Sequence, residues 1–191
     1  TAFNLFLDVA FDETKDPIAV AKFIEVSLKR NSAWRDRFIE YCRSKPNLVE
    51  YADYKAAEAN EKKEDFKKAA AAYRDIVNRY DSTKKKTELE FRICKCLFNA
   101  GDYQAAISEL DRFLAKNKSV NRKLSKDAML LKGRCYIQLG KPNKAAEEFF
   151  TLTIEYPETR EAPESNFFIG YCYMLQGKFD QAKEALNLVV K

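Results

Sequence analysis

The chain has 191 residues, 46% of them hydrophobic and 33% charged, and a formal net charge of +5. That balance suits amphipathic helices packed side by side and excludes an intrinsically disordered polymer. Histidine is absent, which excludes Ser-His-Asp and Cys-His catalysis, histidine general bases and histidine metal ligands together.

The first stretch, Phe3 to Phe11, is apolar but short, and Asp8 interrupts it. No apolar run approaches the roughly 18 residues of a membrane span. The chain begins with Thr1 and not methionine, so this stretch is expected to be what trimming left of a precursor, and any targeting signal is unobserved. Asp16-Pro17 then reads as an N-cap followed by proline at the first helical position, opening a helix over about 18–30. A second helix is expected over about 33–44, stopped by Lys45-Pro46. Ile18, Phe23, Ile24, Val26 and Leu28, with Trp34, Phe38, Ile39 and Tyr41, supply the apolar side of this hairpin. The hairpin lacks the periodic features of the later residues. It is expected to cap the open end of the helices C-terminal to it, the alternative being an independent interaction domain.

From Leu48 onward helices come in pairs: about 48–63 with 65–80, 86–99 with 103–117, 124–139 with 142–156, and 162–176 with 178–190. Pro142 and Pro163 fit first-turn positions, Pro157 ends a helix, and no strand-like alternation survives beyond a few residues. The five glycines mark the pairing. Gly101, Gly140 and Gly177 each open a short junction (Gly101-Asp102-Tyr103, Gly140-Lys141-Pro142, Gly177-Lys178-Phe179) and lie 39 and 37 residues apart. Glu64-Asp65-Phe66, 37 residues earlier, is a degenerate copy. Glycine belongs where φ is positive or where a second backbone comes close. Gly133 and Gly170, each seven residues before a junction glycine, fall inside the preceding helix. Five residues after each junction start stands Ala69, Ala106, Ala145 or Ala182. Four further on come Tyr73, Leu110, Phe149 and Leu186, and three beyond those Ile76, Phe113, Leu152 and Val189. That spacing puts them on one helix face, the small residue permitting a close crossing.

Of the five cysteines, Cys96, Cys135 and Cys172 lie five residues before a junction glycine, where the first copy has Ala59. Cys94 takes the small-residue place of Ala57, Gly133 and Gly170. These thiols, with Cys42, are expected to be free small hydrophobes at helix contacts. Cys94 and Cys96, two apart on a helix, point in different directions and are poor joint ligands. Equivalent positions in successive copies sit about a helix spacing of 8–10 Å apart, beyond the roughly 7 Å a disulfide tolerates. Glycine-clustered phosphate loops do not occur. Carboxylate neighbours such as Glu147-Glu148 and Asp102/Glu109 read as solvated. The reading is a noncatalytic protein with no cofactor and no metal.

With Gly133, Tyr136, Gly140, Ala145, Phe149 and Pro157 in the third copy, and Gly170, Tyr173, Gly177, Ala182 and Leu186 in the fourth, the chain resembles the tetratricopeptide repeat (TPR) family. The resemblance implies an all-α, right-handed α-solenoid of antiparallel helix pairs. An N-terminal helical cap over 1–47 would precede four repeats at about 48–83, 84–121, 122–159 and 160–191. The family's usual tryptophan-type residue is missing; Asp53, Glu90, Met129 and Asn166 stand there. The repeats are also longer than the common 34 or so. Both departures, with the tails Arg79-Tyr80-Asp81-Ser82-Thr83 and Glu155-Tyr156-Pro157-Glu158-Thr159, are similar to the longer-repeat bacterial envelope subclass, BamD-like and YbgF-like. That subclass points to the periplasm or envelope, whereas five free thiols point to a reducing cytoplasm.

The resemblance implies a concave groove lined by the first helix of each pair. Projected here, it comprises Tyr54, Lys55 and Glu58; Phe91, Arg92, Lys95 and Phe98; Leu130, Leu131, Arg134 and Ile137; and Phe167, Phe168, Tyr171 and Met174. Lys95, Arg134 and Arg92 would make a basic ladder, and Phe168, Tyr171 and Met174 an apolar end, or alternatively a contact for a further helix beyond the apolar Leu188-Val189-Val190. The expected partner is an extended or helical segment of another protein bearing acidic and aromatic residues. The family's chaperone-binding clamp needs a lysine and an asparagine where Tyr54 and Glu58 stand, so that ligand is disfavoured. Lys84-Lys85-Lys86 and Lys116, Lys118, Arg122, Lys123 and Lys126 are diluted by Asp81, Glu88 and Asp127. No nucleic-acid partner is expected, and a membrane would be reached only through a partner or an unseen anchor. The alternative function is self-association as a structural module or homo-oligomer.

Overall fold

In a computed structural model, the described residues are 2–12, 14, 16–28, 31–80, 85–157 and 161–189. Among them there are eleven α-helices and no strand. Asp81-Ser82-Thr83, Lys84, Glu158-Thr159, Val190-Lys191 and the side chain of Pro163 lie outside the described residues. The chain divides into two compact units, residues 1–82 and 83–191.

The first unit holds α1 (Ala2–Asp12), α2 (Pro17–Ser27), α3 (Ser32–Arg43), α4 (Val49–Lys62) and α5 (Phe66–Arg79). The apolar stretch Phe3–Phe11 lies within α1. Phe3 and Leu7, one turn apart, are buried. Asp8, which looked like an interruption, accepts hydrogen bonds from the Tyr41 hydroxyl at 2.7 Å and Lys45 Nζ at 3.0 Å. These two bonds, Tyr41's first, hold its carboxyl below the usual range. Asp16 caps α2 by accepting from Ala19 N at 2.9 Å, with Pro17 opening the helix, as expected. Asn31 caps α3 through Trp34 N at 3.1 Å. Ala21 and Ile24 of α2, Phe38, Tyr41 and Cys42 of α3, and Leu48, Tyr51 and Ala52 at the start of α4 close over Phe3 and Leu7.

One expectation fails here. Ile18, Phe23, Val26 and Trp34, assigned to the inward side of the N-terminal hairpin, are exposed. α2 reads Pro-Ile-Ala-Val-Ala-Lys-Phe-Ile-Glu-Val-Ser, apolar nearly all round. Its periodicity therefore could not choose which face would turn in.

The second unit holds α6 (Lys86–Asn99), α7 (Tyr103–Asn117), α8 (Arg122–Gln138), α9 (Pro142–Glu155), α10 (Glu161–Leu175) and α11 (Phe179–Asn187). Each even-numbered helix packs on the next to form a hairpin, α7 packs on α8 and α9 on α10, and α6 touches α8 as α8 touches α10.

The glycine reading holds in detail. Gly101, Gly140 and Gly177 have φ of 77°, 64° and 73°, and at the degenerate junction Glu64 takes the same left-handed turn with φ 61°. Gly133 and Gly170 serve close approach. A Cβ on Gly133 would sit 2.5 Å from the Phe149 ring, and one on Gly170 would sit 2.6 Å from Leu186 Cγ. Ala69, Ala106, Ala145 and Ala182 are buried together with Tyr73, Leu110, Phe149, Ile76, Phe113 and Leu152. Leu186 and Val189, in the last hairpin, are half-buried.

All five cysteines are free and buried. Burial pushes the thiols of Cys42, Cys94 and Cys135 up to about 12 and that of Cys172 to about 11. No cluster of ligating side chains that could hold a metal occurs among the described residues. The equivalence breaks in the first repeat, where Ala59 is exposed. There an open cleft of about 650 Å³ lies between α3 and α4, with Asp36, Ile39, Ala56 and Ala59 among its lining.

Three carboxylates read as solvated have partners, among them Glu109, which accepts from the Arg112 guanidinium at 3.3 Å. Asp102 caps α7 through Ala105 N at 3.3 Å. Glu148 lies 2.6 Å from Lys132 Nζ, which also reaches Asp111 at 2.8 Å. Burial works against the Lys132 charge, but the bonds to Asp111 and Glu148 outweigh it and hold the ammonium above its ordinary value.

Candidate protein-interaction face

Repeats of 39 and 37 residues bring equivalent positions of α6, α8 and α10 into line on neighbouring helices. One line runs Lys95, Arg134, Tyr171; a second Phe91, Leu130, Phe167; a third Phe98, Ile137, Met174. Lys95, Arg134, Phe167, Tyr171 and Met174 are exposed, the last three by 49%, 39% and 48%. The Arg134 guanidinium lies over the Phe98 ring, 5.1 Å from its centroid, so the cation of α8 rests on the aromatic surface of α6. Lys95, three residues before Phe98 on the same helix, stands on the same side. The face thus offers two cations and an aromatic floor at one end and an apolar edge at the other.

The remaining projected residues serve packing in part. Leu131 is buried, which removes it from any groove. Leu130 and Ile137 are partly buried against the Ala145–Phe149 cluster. Phe91 is half-buried, its ring 5.7 Å from that of Phe113. Phe168 stacks on Phe149 with centroids 5.1 Å apart and 13° between planes. It belongs to the helix contact, and Phe167 takes the exposed place beside it. Arg92 is half-buried and engaged within the protein.

In the first unit, the Tyr54 ring lies 6.2 Å from that of Tyr73. Lys55 bridges Glu25 and Glu58, each at 3.0 Å, and Glu25 also accepts from the Tyr51 hydroxyl at 2.6 Å. Burial pulls the Lys55 ammonium down, but its two carboxylate partners keep it above the ordinary value. Lys55 and Glu58 therefore satisfy one another inside α2–α4. Two of the basic residues, Lys116 in the last turn of α7 and Lys118 just after it, are likewise paired, with Glu90 at 3.3 Å and with Glu155 at 2.6 Å.

Leu175 and Phe179, exposed apolar residues flanking the last junction, were missed. A signal was present in the repeat comparison, since Leu175 stands where Lys62, Asn99 and Gln138 stand in the other copies.

Stacked hairpins with small residues at every crossing and a left-handed turn at every junction define a helical-repeat scaffold. Models of the tetratricopeptide repeat match residues 51–83, 97–158 and 163–191, together well over half of the chain. The chain belongs to the tetratricopeptide-repeat family. Among solved structures it is similar to MamA from Desulfovibrio magneticus RS-1, with TM-score 0.67 and 14% identity, over 90% of this chain and 92% of that one. It is similar to YrrB, a TPR protein with an unusual peptide-binding site, with TM-score 0.64 and 19% identity, over 100% and 91%. A third is the TPR-like repeat array of a Podosopora anserina putative kinesin light chain, with TM-score 0.67 and 13% identity, over 92% and 95%. At these identities the likeness is one of fold. No curated protein sequence matches the chain.

Proposed function

We propose that this protein is a noncatalytic scaffold that binds a segment of another protein on the α6–α8–α10 face. The bound segment is extended or helical and carries carboxylates beside aromatic or aliphatic anchors. The observation that carries the reading is Arg134 held over Phe98 beside Lys95, in line with the exposed Tyr171 and Met174. A guanidinium resting on an aromatic ring is partly pre-ordered, so less side-chain entropy is lost when it meets a carboxylate. The neighbouring apolar edge suits an amphipathic segment. The tetratricopeptide fold supports a protein-interaction role in general. The solved YrrB structure, with its peptide-binding site, is consistent with it. Repeats of 37 to 39 residues and the missing tryptophan-type residue are what favour a bacterial envelope complex as the setting.

A phage-displayed peptide library panned on the immobilised protein, followed by fluorescence anisotropy on the selected peptides, tests the assignment. Selected sequences should place Asp or Glu close to Phe, Trp or Leu. Lys95→Glu/Arg134→Glu should weaken them by at least about tenfold, and raised salt should weaken wild-type binding. Unchanged affinity in that variant, with an unchanged circular-dichroism melt, would overturn the site.

A further inference from the structure

α1 and α2 are built as buried helices yet are buried on one side only. Of the eleven residues of α1, only Asn4, Asp8 and Asp12 are polar, and Asp8 is tied to Tyr41 and Lys45 of α3. In α2 only Lys22, Glu25 and Ser27 are polar, and Glu25 is tied to Tyr51 and Lys55 of α4. A helix that is apolar around its whole circumference belongs in an interior. Here the inward sides hold Phe3, Leu7, Ala21 and Ile24. The outward sides leave Leu5, Phe6 and Val9 of α1 exposed by 68%, 58% and 70%, and Phe23 and Val26 of α2 by 74% and 69%. Trp34 stands next to α1, edge-on to Phe3 at 4.4 Å, and is 41% exposed.

With about 200 Å² per aromatic side chain and somewhat less per aliphatic one, these six leave roughly 700 Å² of apolar side chain in water. A typical monomer's largest patch is about 300–600 Å², and one side of a standard protein interface is about 800 Å². The apolar area these six expose is close to one side of such an interface.

We propose that two copies of this protein associate through the outward faces of α1 and α2 as a two-fold symmetric dimer. Charge favours a second copy over a lipid surface. α1 carries no basic residue and its Asp8 and Asp12 are exposed, as are the basic Lys22 on α2 and Arg35 and Arg37 at the start of α3. A symmetric contact sets each copy's acids against the other's bases. An interfacial membrane helix instead surrounds its apolar face with lysine and arginine, and neither helix is long enough to cross a bilayer.

Sedimentation velocity over a wide concentration range tests this. The wild-type mass should double as concentration rises. Phe6→Glu/Phe23→Glu should remain monomeric throughout, with an unchanged circular-dichroism melt because both rings are exposed. Should that variant melt early, Val9→Ser/Val26→Ser adds no charge and should also lower the dimer fraction. Lys95→Glu/Arg134→Glu should dimerise like wild type, which separates this surface from the peptide-binding face. A wild-type protein monomeric at every concentration, a dimer that survives both N-terminal variants, or a monomer that co-sediments with phosphatidylcholine or phosphatidylglycerol vesicles would overturn the proposal.

Discussion

Glu64 sits at φ 61°, while the same turn in the other three repeats is made by glycine at 64° to 77°. A side chain in the left-handed region costs about 1–2 kcal/mol, and glycine returns about 0.4–1 kcal/mol of that through the greater freedom of the unfolded chain. Glu64→Gly should therefore stabilise the protein by about 0.5 kcal/mol, read as a small rise in the thermal midpoint; a fall would mean that Glu64 makes an interaction worth more than the strain. The junction was legible because backbone sterics act locally and admit few residues. Gly133 and Gly170 were legible only as a repeated exception, since glycine inside a helix runs against propensity. That their clients are the Phe149 ring and Leu186 emerges only when the second helix is in place.

Helix boundaries follow the same division. Asp65 and Asp102 cap α5 and α7 through Lys68 N and Ala105 N, from φ, ψ of −80°, 63° and −87°, 65°. Lys178 holds nearly the same backbone, −93° and 69°, before α11 and offers no side-chain acceptor. Lys178→Asp should supply one and stabilise the protein by about 1 kcal/mol, measured by urea denaturation. A loss of stability would show that Lys178 acts through the Tyr173 ring, 5.9 Å away. The Asp16 cap and the prolines marked helix ends because they answer a need within one turn of chain. α1 was illegible as a helix because it has no cap signal and is apolar on both sides. The outward turn of Phe23 and Val26 was illegible for the same reason.

Across the molecule, four thiols spread over α3, α6, α8 and α10 are raised by burial from 9.0 to about 11 or 12. Because the folded values lie above the unfolded ones, their contribution is complete below about pH 9 and is lost as pH climbs from 9 toward 12. The unfolded chain binds fewer protons there, so stability falls with pH. Urea denaturation at pH 8 and pH 10 should show a loss of about 1 kcal/mol per thiol. The native protein should resist iodoacetamide at pH 8 and expose all five thiols on unfolding. Rapid native alkylation would mean that the helices open far more readily than their packing indicates.

The hairpin repeat, its junctions and the burial of its small residues were already written in residue order, because glycine, alanine and cysteine report local backbone sterics and the width of a crossing. Which aromatic stayed in water was decided in three dimensions. Phe168 stacks on Phe149 while Phe167 beside it is exposed, and Lys55 is drawn into an ion pair with Glu25, thirty residues away, while Lys95 remains outward. A side chain's final partner depends on which helix arrives opposite it, and spacing along one chain does not carry that information.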